Sequence, residues 1–162
     1  MKIIHIITDL DTGGAEMMLY KLLDSLRDDR IDSTVISLMG RGKITERIEA
    51  LGVKVETLNL GQGEHPSWRT IKKLRHIMRA FNPDIVQGWM YHGNIAATVA
   101  VFLFDPMRRK VKLFWNVRQT LYDIKSEKIQ TRWLIVLGRW LSFFPHSIIY
   151  NSNLSAEQHC NA

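Results

Sequence analysis

Met1–Leu26 reads MKIIHIITDLDTGGAEMMLYKLLDSL, and the change of period inside it decides the fold. Lys2–Ile7 is a short, essentially apolar run, too short and too rich in isoleucine for a helix. It suits a strand covered on both faces and lying in mid-sheet. From Ala15 onward the apolar positions Ala15, Met18, Leu19, Leu22, Leu23 and Leu26 follow the i, i+3, i+4, i+7 spacing of a helix with one buried stripe. The period therefore switches from strand to helix across Thr8–Gly14.

That switch contains the adjacent glycines Gly13 and Gly14. A glycine-rich turn between a buried strand and a helix can present free backbone N–H groups and the positive end of the helix dipole to an anion, most often phosphate. Without Cβ atoms, Gly13 and Gly14 let backbone or ligand come close. The same pair also suits a plain tight turn. Its spacing is neither GxGxxG nor GxxxxGK[ST].

At 162 residues, with 46% hydrophobic and 23% charged residues, the chain has the size and composition of one ordered globular domain or slightly more. Its 22 Lys and Arg against 16 Asp and Glu give a formal charge of +6. Such a surplus favours anionic partners in general without choosing among nucleic acid, acidic lipid and sugar phosphate, and a solvated basic face also accounts for it. The single cysteine, Cys160, excludes an internal disulfide and fits a reducing compartment, so cytoplasm is the expected location. The opening apolar run is too short for a secretion signal, and no stretch reaches the roughly 18 uninterrupted apolar residues of a membrane span.

Taken in order, the remaining chain alternates the two periods. Strands are expected at Asp32–Met39, Val53–Leu58, Asp84–Gly88, Lys110–Val117 and Ser147–Tyr150, the one at Val53–Leu58 nearer the sheet edge than the first. Between them lie a short helical piece at Ile44–Leu51 closed by Gly52, and a helix capped by Ser67 with the stripe Ile71, Leu74, Ile77, Met78 and Phe81. A small-residue helix, Ile95–Phe104, and an aromatic helix, Thr131–Phe144, follow, and another helix begins after Asn151. The basic face at Arg69, Lys72, Lys73, Arg75, His76 and Arg79 lacks interleaved aromatics and reads as solvated, so no nucleic-acid partner is expected.

Six strands alternating with helices imply an α/β fold: a Rossmann-like three-layer sandwich with a mainly parallel sheet and helices on both faces. In such a fold the binding crevice lies at the carboxyl ends of the strands. The turns expected on that rim are Thr8–Gly14, Met39–Lys43, Trp89–Asn94, Asn116–Tyr122 and Asn151–Asn153. Polar and aromatic residues gather there, among them Trp89, His92, Asn94, Asn116, Arg118, Gln119, Tyr122 and Asn151.

These residues carry a resemblance. KIIHIITDLDTGGAEMMLYKL resembles the opening of family 4 glycosyltransferases, whose first strand leads into a GGAE turn; PDIVQGWMYHGNIAA is similar to their fourth-strand segment, WNVRQTLYD to their fifth, and SIIYNSNLSAEQH to the strand and Asn-Ser turn that close their N-terminal domain. The resemblance implies the GT-B architecture, two Rossmann-like domains facing across a cleft. It also implies transfer from a nucleotide-sugar donor to a glycan or lipid-linked acceptor, with retention of configuration and without a metal ion or other cofactor.

On that reading residues 1–162 are the N-terminal, acceptor-side domain. The C-terminal donor domain is missing, and the fragment alone does not turn over. The resemblance assigns Gly13 and Gly14 to the donor diphosphate and Arg118 to the catalytic centre; His92, in the neighbouring turn, is a second catalytic candidate that a structural histidine would equally explain, and Trp89, Asn94, Asn116, Gln119, Tyr122 and Asn151, gathered on the expected rim, are the candidates for the acceptor cleft. Arg118 falls where many family members have a histidine; an arginine stays protonated and can stabilise negative charge but cannot act as a neutral base.

Trp133, Leu134, Val136, Leu137, Trp140, Leu141, Phe143 and Phe144 exceed one helical stripe, with Arg132 and Arg139 sharing a face. Burial between sheet and neighbouring domain accounts for them, and so does a peripheral contact with the inner face of the membrane that serves a lipid-linked acceptor. A nicotinamide oxidoreductase would need GxGxxG and an acidic residue ending the second strand, where Leu38, Met39, Gly40 and Arg41 stand. A sugar-nucleotide epimerase of the same architecture and a non-catalytic nucleotide- or glycan-binding module are the competing functions. Six scattered histidines and one cysteine show no zinc-ligand spacing.

Overall fold

The computed structural model describes residues 1–27, 30–107, 110–118 and 136–160. Its strands are β1 (Lys2–Ile7), β2 (Asp32–Ser37), β3 (Lys54–Thr57), β4 (Ile85–Trp89), β5 (Lys112–Val117) and β6 (Ser147–Tyr150). They form one sheet in the order β3-β2-β1-β4-β5-β6. Every neighbouring pair is parallel. The helices are α1 (Gly14–Ser25), α2 (Thr45–Glu49), α3 (Trp68–Phe81), α4 (Met90–Phe104), the helical stretch 136–141 (α5) and α6 (Asn153–Cys160). This is the Rossmann-like α/β sandwich, with β1 inside the sheet and β3 at its edge.

Alternation along the central strands splits the core in two. On one face Ile4, Ile6, Ile36, Val86 and Trp115 meet α3 through Leu74, Ile77 and Met78, and α4 through Ala97, Ala100 and Val101. On the other, Ile7, Val35 and Trp89 meet α1 through Ala15, Leu19 and Leu23, and α2 through Ile48. The buried stripe of α1 is narrower than its sequence suggests: Met18 is 40% exposed, since positions four apart carry the contact. Ser67 caps α3 as expected, its side chain accepting the N–H of Thr70, and Asn82 ends the helix in the left-handed region at φ 54°.

Several boundaries move for identifiable reasons. Strand β2 stops at Ser37, two residues early, because the Ser37 hydroxyl donates to the Gly40 carbonyl and closes a turn. Strand β5 starts at Lys112, because the Asp105 carboxylate binds the N–H groups of Lys110 and Val111 and holds both out of the ladder. The short helix spans Thr45–Glu49, with Gly52 beyond it at φ 82°.

The largest change is at β4. The expected turn Trp89–Asn94 does not exist: Trp89 ends the strand, Met90 begins α4, and the direction changes at Met90 alone, with φ 62°. A left-handed non-glycine backbone is held only where its surroundings fix it, and here both sides of the junction are packed. Of the expected aromatic helix Thr131–Phe144, residues 131–135 lie outside the described residues and 136–141 are helical.

Candidate functional site

In this strand order the chain winds outward in opposite directions from β1 and β4, so the switch point lies between their carboxyl ends. The corner after β1 and the junction after β4 flank it.

The corner after β1 is built by backbone. Leu38 and Met39 donate their N–H groups to the carbonyls of Ile7 and Thr8 at 2.9 Å each, and Ile44 donates to Leu10 at 3.0 Å. Leu10 is fully buried, and Gly42 lies so close to the Leu10 backbone that a Cβ there would collide with it. The loop after β2 thus forms one wall of the corner. Within it, Arg41 grips Glu49 through both carboxylate oxygens at 2.8 and 2.6 Å.

Gly13 occupies the N-cap of α1 in extended geometry and Gly14 the first helical position. The two glycines differ. A Cβ on Gly14 would meet nothing within 4 Å, so this face of the helix start is open. A Cβ on Gly13 would collide with Oε2 of Glu16, whose side chain folds back along the first turn. Burial, the largest cause, raises the Glu16 pKa, and the nearby charges of Asp9 and Asp11 add to the rise; its own backbone N–H, donating to the carboxylate, works against it. The anion site expected from the glycines is therefore part-open, with an internal carboxylate lying beside its N–H groups.

The junction after β4 is closed by close packing. A Cβ on Gly93 would sit 2.5 Å from the Ile6 carbonyl oxygen, and one on Gly88 2.5 Å from the Cα of Asn94, so the first turns of α4 rest directly on β1 and β4. Trp89 is 1% exposed and lies in the interior, not facing a cleft. Its indole N–H donates to Nδ1 of His5 at 3.3 Å. Burial holds the His5 ring neutral and its pKa down to about 4. Gln87, its register partner on β4, opposes that shift, but Nε2 has no hydrogen-bond partner of adequate geometry.

Asn94 and Asn116 are also interior, at 2% and 4% exposure. The Asn94 side-chain oxygen accepts the Asn116 N–H at 3.3 Å, tying α4 to the tip of β5, while the Asn116 side-chain oxygen has no hydrogen-bond partner. Asn94 is thus placed as a strut, and Asn116 enters the tie through its backbone N–H. On the open rim stand His92, in the first turn of α4, and Arg118, half-buried just past β5. Partial burial lowers the His92 pKa. The exposed Asn151 donates from Nδ2 to the Arg118 carbonyl at 3.4 Å, linking the tips of β5 and β6. Gln119 and Tyr122 lie outside the described residues.

Among the described residues, no group of three or more His, Cys, Asp or Glu side chains could hold a metal ion. Nor is any described helix long and apolar enough to cross a membrane. Two shallow depressions, one beside Asp32, Gly52 and Val53 and the other beside Thr34, Lys54 and Phe81, contain none of the residues expected at the site.

Sequence reasoning missed the His5–Trp89 pair, the folded-back Glu16 and the seats of Gly42 and Gly93. His5 inside an isoleucine run was the one visible signal, since a buried imidazole needs a polar neighbour.

The model of Glycosyltransferase Family 4 matches residues 12–162. No curated protein sequence matches the chain. Among solved structures, Anabaena HepE in complex with UDP and glucose superposes at a TM-score of 0.70 and 19% identity, over 99% of this chain and 41% of that one. The lipopolysaccharide outer core galactosyltransferase WaaB, in its apo form, gives 0.66 and 12%, over 99% and 42%. UDP-GlcNAc 2-epimerase from Methanocaldococcus jannaschii gives 0.61 and 12%, over 99% and 42%. At these identities the likeness is one of fold, and the chain spans about two fifths of the length of each.

Proposed function

The chain belongs to glycosyltransferase family 4, and from that membership we propose that it is the acceptor-side half of an enzyme that moves a hexosyl group from a nucleotide-sugar to a glycan or lipid-linked acceptor, with retention of configuration. The donor half is the second Rossmann-like domain of the full-length protein, and this half alone does not turn over. The reaction needs no metal ion.

The observation that carries this reading is the open α-carbon of Gly14 at the start of α1, beside the switch point of a parallel sheet. A donor diphosphate approaching there meets the N–H groups of the first helical turn and the positive end of the helix. Charge that builds on the diphosphate as the glycosidic bond breaks is stabilised by these fixed dipoles and by Arg118 from the tip of β5. His92, whose pKa partial burial lowers, offers a hydrogen-bond acceptor to an acceptor hydroxyl, with Asn151 on the acceptor side. Trp89, Asn94 and Asn116 set the frame on which His92 and Arg118 are mounted. HepE was captured with UDP and glucose, which fits this class of donor.

A second reading is favoured by the superposition on a UDP-GlcNAc 2-epimerase, because the same frame serves a reaction that leaves the diphosphate attached or returns it. Proton NMR of the full-length protein with UDP-, GDP- and ADP-sugars and a glycolipid extract separates the two. Release of nucleoside diphosphate with a new glycoside of unchanged anomeric configuration supports transfer. Inversion at C2 of the donor sugar identifies an epimerase, and donor binding without either change identifies a binding module.

A further inference from the structure

We propose that the exposed face of α3 is a track for a linear glycan that bears repeated acidic groups.

Helix geometry assembles the track. Trp68, Lys72, Arg75 and Arg79 stand at i, i+4, i+7 and i+11 and so form one stripe, with Arg69 and His76 beside it. The opposite face holds the helix to the core through Leu74, Ile77 and Met78, and the six outer residues are exposed. Trp68, at 76%, leaves most of its indole in solvent. Residues 65–83 hold five Lys or Arg and no Asp or Glu. The two flanking carboxylates are engaged elsewhere, Glu64 with the Gly61 N–H and Asp84 with the Lys2 N–H. Among the described residues, Arg69, Lys72, Arg75 and Arg79 have no ion-pair partner.

Two anchors fix the direction. Lys73 donates from Nζ to the carbonyl of Thr57, the last residue of β3. Lys2, the first residue of β1, donates from Nζ to the carbonyl of Phe81, where α3 ends. The helix therefore runs from the carboxyl toward the amino ends of the strands. Trp68, five residues before Lys73, stands about 7.5 Å further toward the rim, and the stripe from it to Arg79 is about 16 Å long.

The pattern chooses the occupant. Single-stranded nucleic acid stacks on aromatics repeated along a groove, and this stripe has one, at its end. A protein interface centres on apolar anchors, and an interfacial helix turns an apolar face to the bilayer; the apolar face of α3 lies against the core. A linear glycan needs neither. Its acidic groups meet a row of cations repeated at every turn, and the C–H face of one sugar ring, carrying partial positive charge, stacks on the negative face of the indole. With Trp68 at the rim, a chain whose end lies in the cleft is led down the helix away from it. That this chain is the sugar acceptor rests on the glycosyl-transfer reading; the affinity of the face for an anionic glycan does not.

The test is fluorescence anisotropy of labelled heparin, polygalacturonate and phosphomannan oligomers with the chain and with the full-length protein, neutral maltooligosaccharides being the control. At least one anionic oligomer is expected to bind both proteins, several-fold more weakly at about 0.5 M than at about 0.1 M NaCl. K72Q/R75Q/R79Q, checked for folding by circular dichroism, lowers binding about tenfold or more. Trp68→Ala lowers it several-fold, and Trp68→Phe keeps most of it but removes the change in tryptophan emission on binding. Binding no tighter than that of the neutral oligomers, undiminished binding by K72Q/R75Q/R79Q, or tighter binding of poly(U) RNA or phosphatidylglycerol vesicles than of any glycan each overturns the inference. So does binding by the chain but not by the full-length protein. Glycan binding by a full-length protein that transfers no sugar upholds the track and removes only the acceptor reading, whereas transfer to a neutral acceptor without anionic glycan binding overturns the track and leaves the transferase.

Discussion

Trp89 donates its indole N–H to Nδ1 of His5 across the β1–β4 seam at 3.3 Å, with both side chains 1% exposed. The bond requires the imidazole to accept at Nδ1, so a second proton would set two donors against each other in a dry interior.

The first prediction follows from the sign of that arrangement. The His5 pKa falls from 6.5 to about 4 on folding, so the unfolded chain binds the proton first as pH falls. Stability conferred by neutral His5 is complete above the unfolded value of 6.5 and is lost as pH drops toward about 4. Between about pH 7.5 and about pH 5 this amounts to about 2 kcal/mol. Urea unfolding of wild type and His5→Gln at both pH values checks it: the variant has a shallower pH dependence by that amount. Parallel profiles would remove His5 as the titrating group.

The seat of α4 gives the second. An alanine at position 93 would bring Cβ to 2.5 Å from the Ile6 oxygen and 3.3 Å from its carbonyl carbon. Both atoms belong to the central strand, so helix and sheet must part. Gly93→Ala is expected to lower stability by about 1–3 kcal/mol, toward the upper end, measured by denaturant midpoint. Gly14→Ala, which meets nothing within 4 Å, is the control and should stay within about 0.5 kcal/mol.

Third, Asn94 is a strut. Its oxygen accepts the Asn116 N–H, and its backbone carbonyl accepts the Thr98 hydroxyl, which in turn accepts the indole N–H of Trp115. Removing the side chain leaves a buried N–H without an acceptor, so Asn94→Ala should cost about 1–3 kcal/mol. In the full-length protein, transfer should fall beyond any loss of folded fraction, because the tip of β5 carries Arg118. Unaltered activity per folded molecule would release Asn94 from positioning.

Fourth, the Glu16 carboxylate lies beside the N–H groups proposed for the diphosphate. Its raised pKa means that acid neutralises it early. Glu16→Gln in the full-length protein is expected to tighten nucleoside diphosphate binding about threefold, an effect that shrinks as pH is lowered and the wild-type carboxylate takes up its proton. Calorimetric titration at two pH values checks it; weaker binding by Glu16→Gln would show that Glu16 supports the site.

The sheet and its order of elements were legible because apolar period and breaker residues act locally. Lys2–Ile7, the stripe of α3 and the Ser67 cap all express themselves within one or two turns of chain. The site was less legible, because its placements depend on contacts far apart in sequence. Nothing near Trp89 or Asn94 announces that Gly88 and Gly93 let α4 sit directly on the sheet; without that knowledge a Trp-Met-Tyr-His stretch reads as an exposed turn. Likewise the two glycines at 13 and 14 predict an anion site equally, and only the fold of the Glu16 side chain separates the open one from the covered one. Arg118 and His92 do reach the rim, since residues immediately beyond strands β4 and β5 can go nowhere else.

The central claim is that the start of α1 receives the donor diphosphate, and Gly14→Val in the full-length protein tests it most directly. The valine projects into space that is empty of protein, so thermal unfolding should be unchanged within the equivalent of about 1 kcal/mol. Sugar transfer should fall about a hundredfold or more through displacement of the donor. Transfer at the wild-type rate from an equally stable variant would contradict the account.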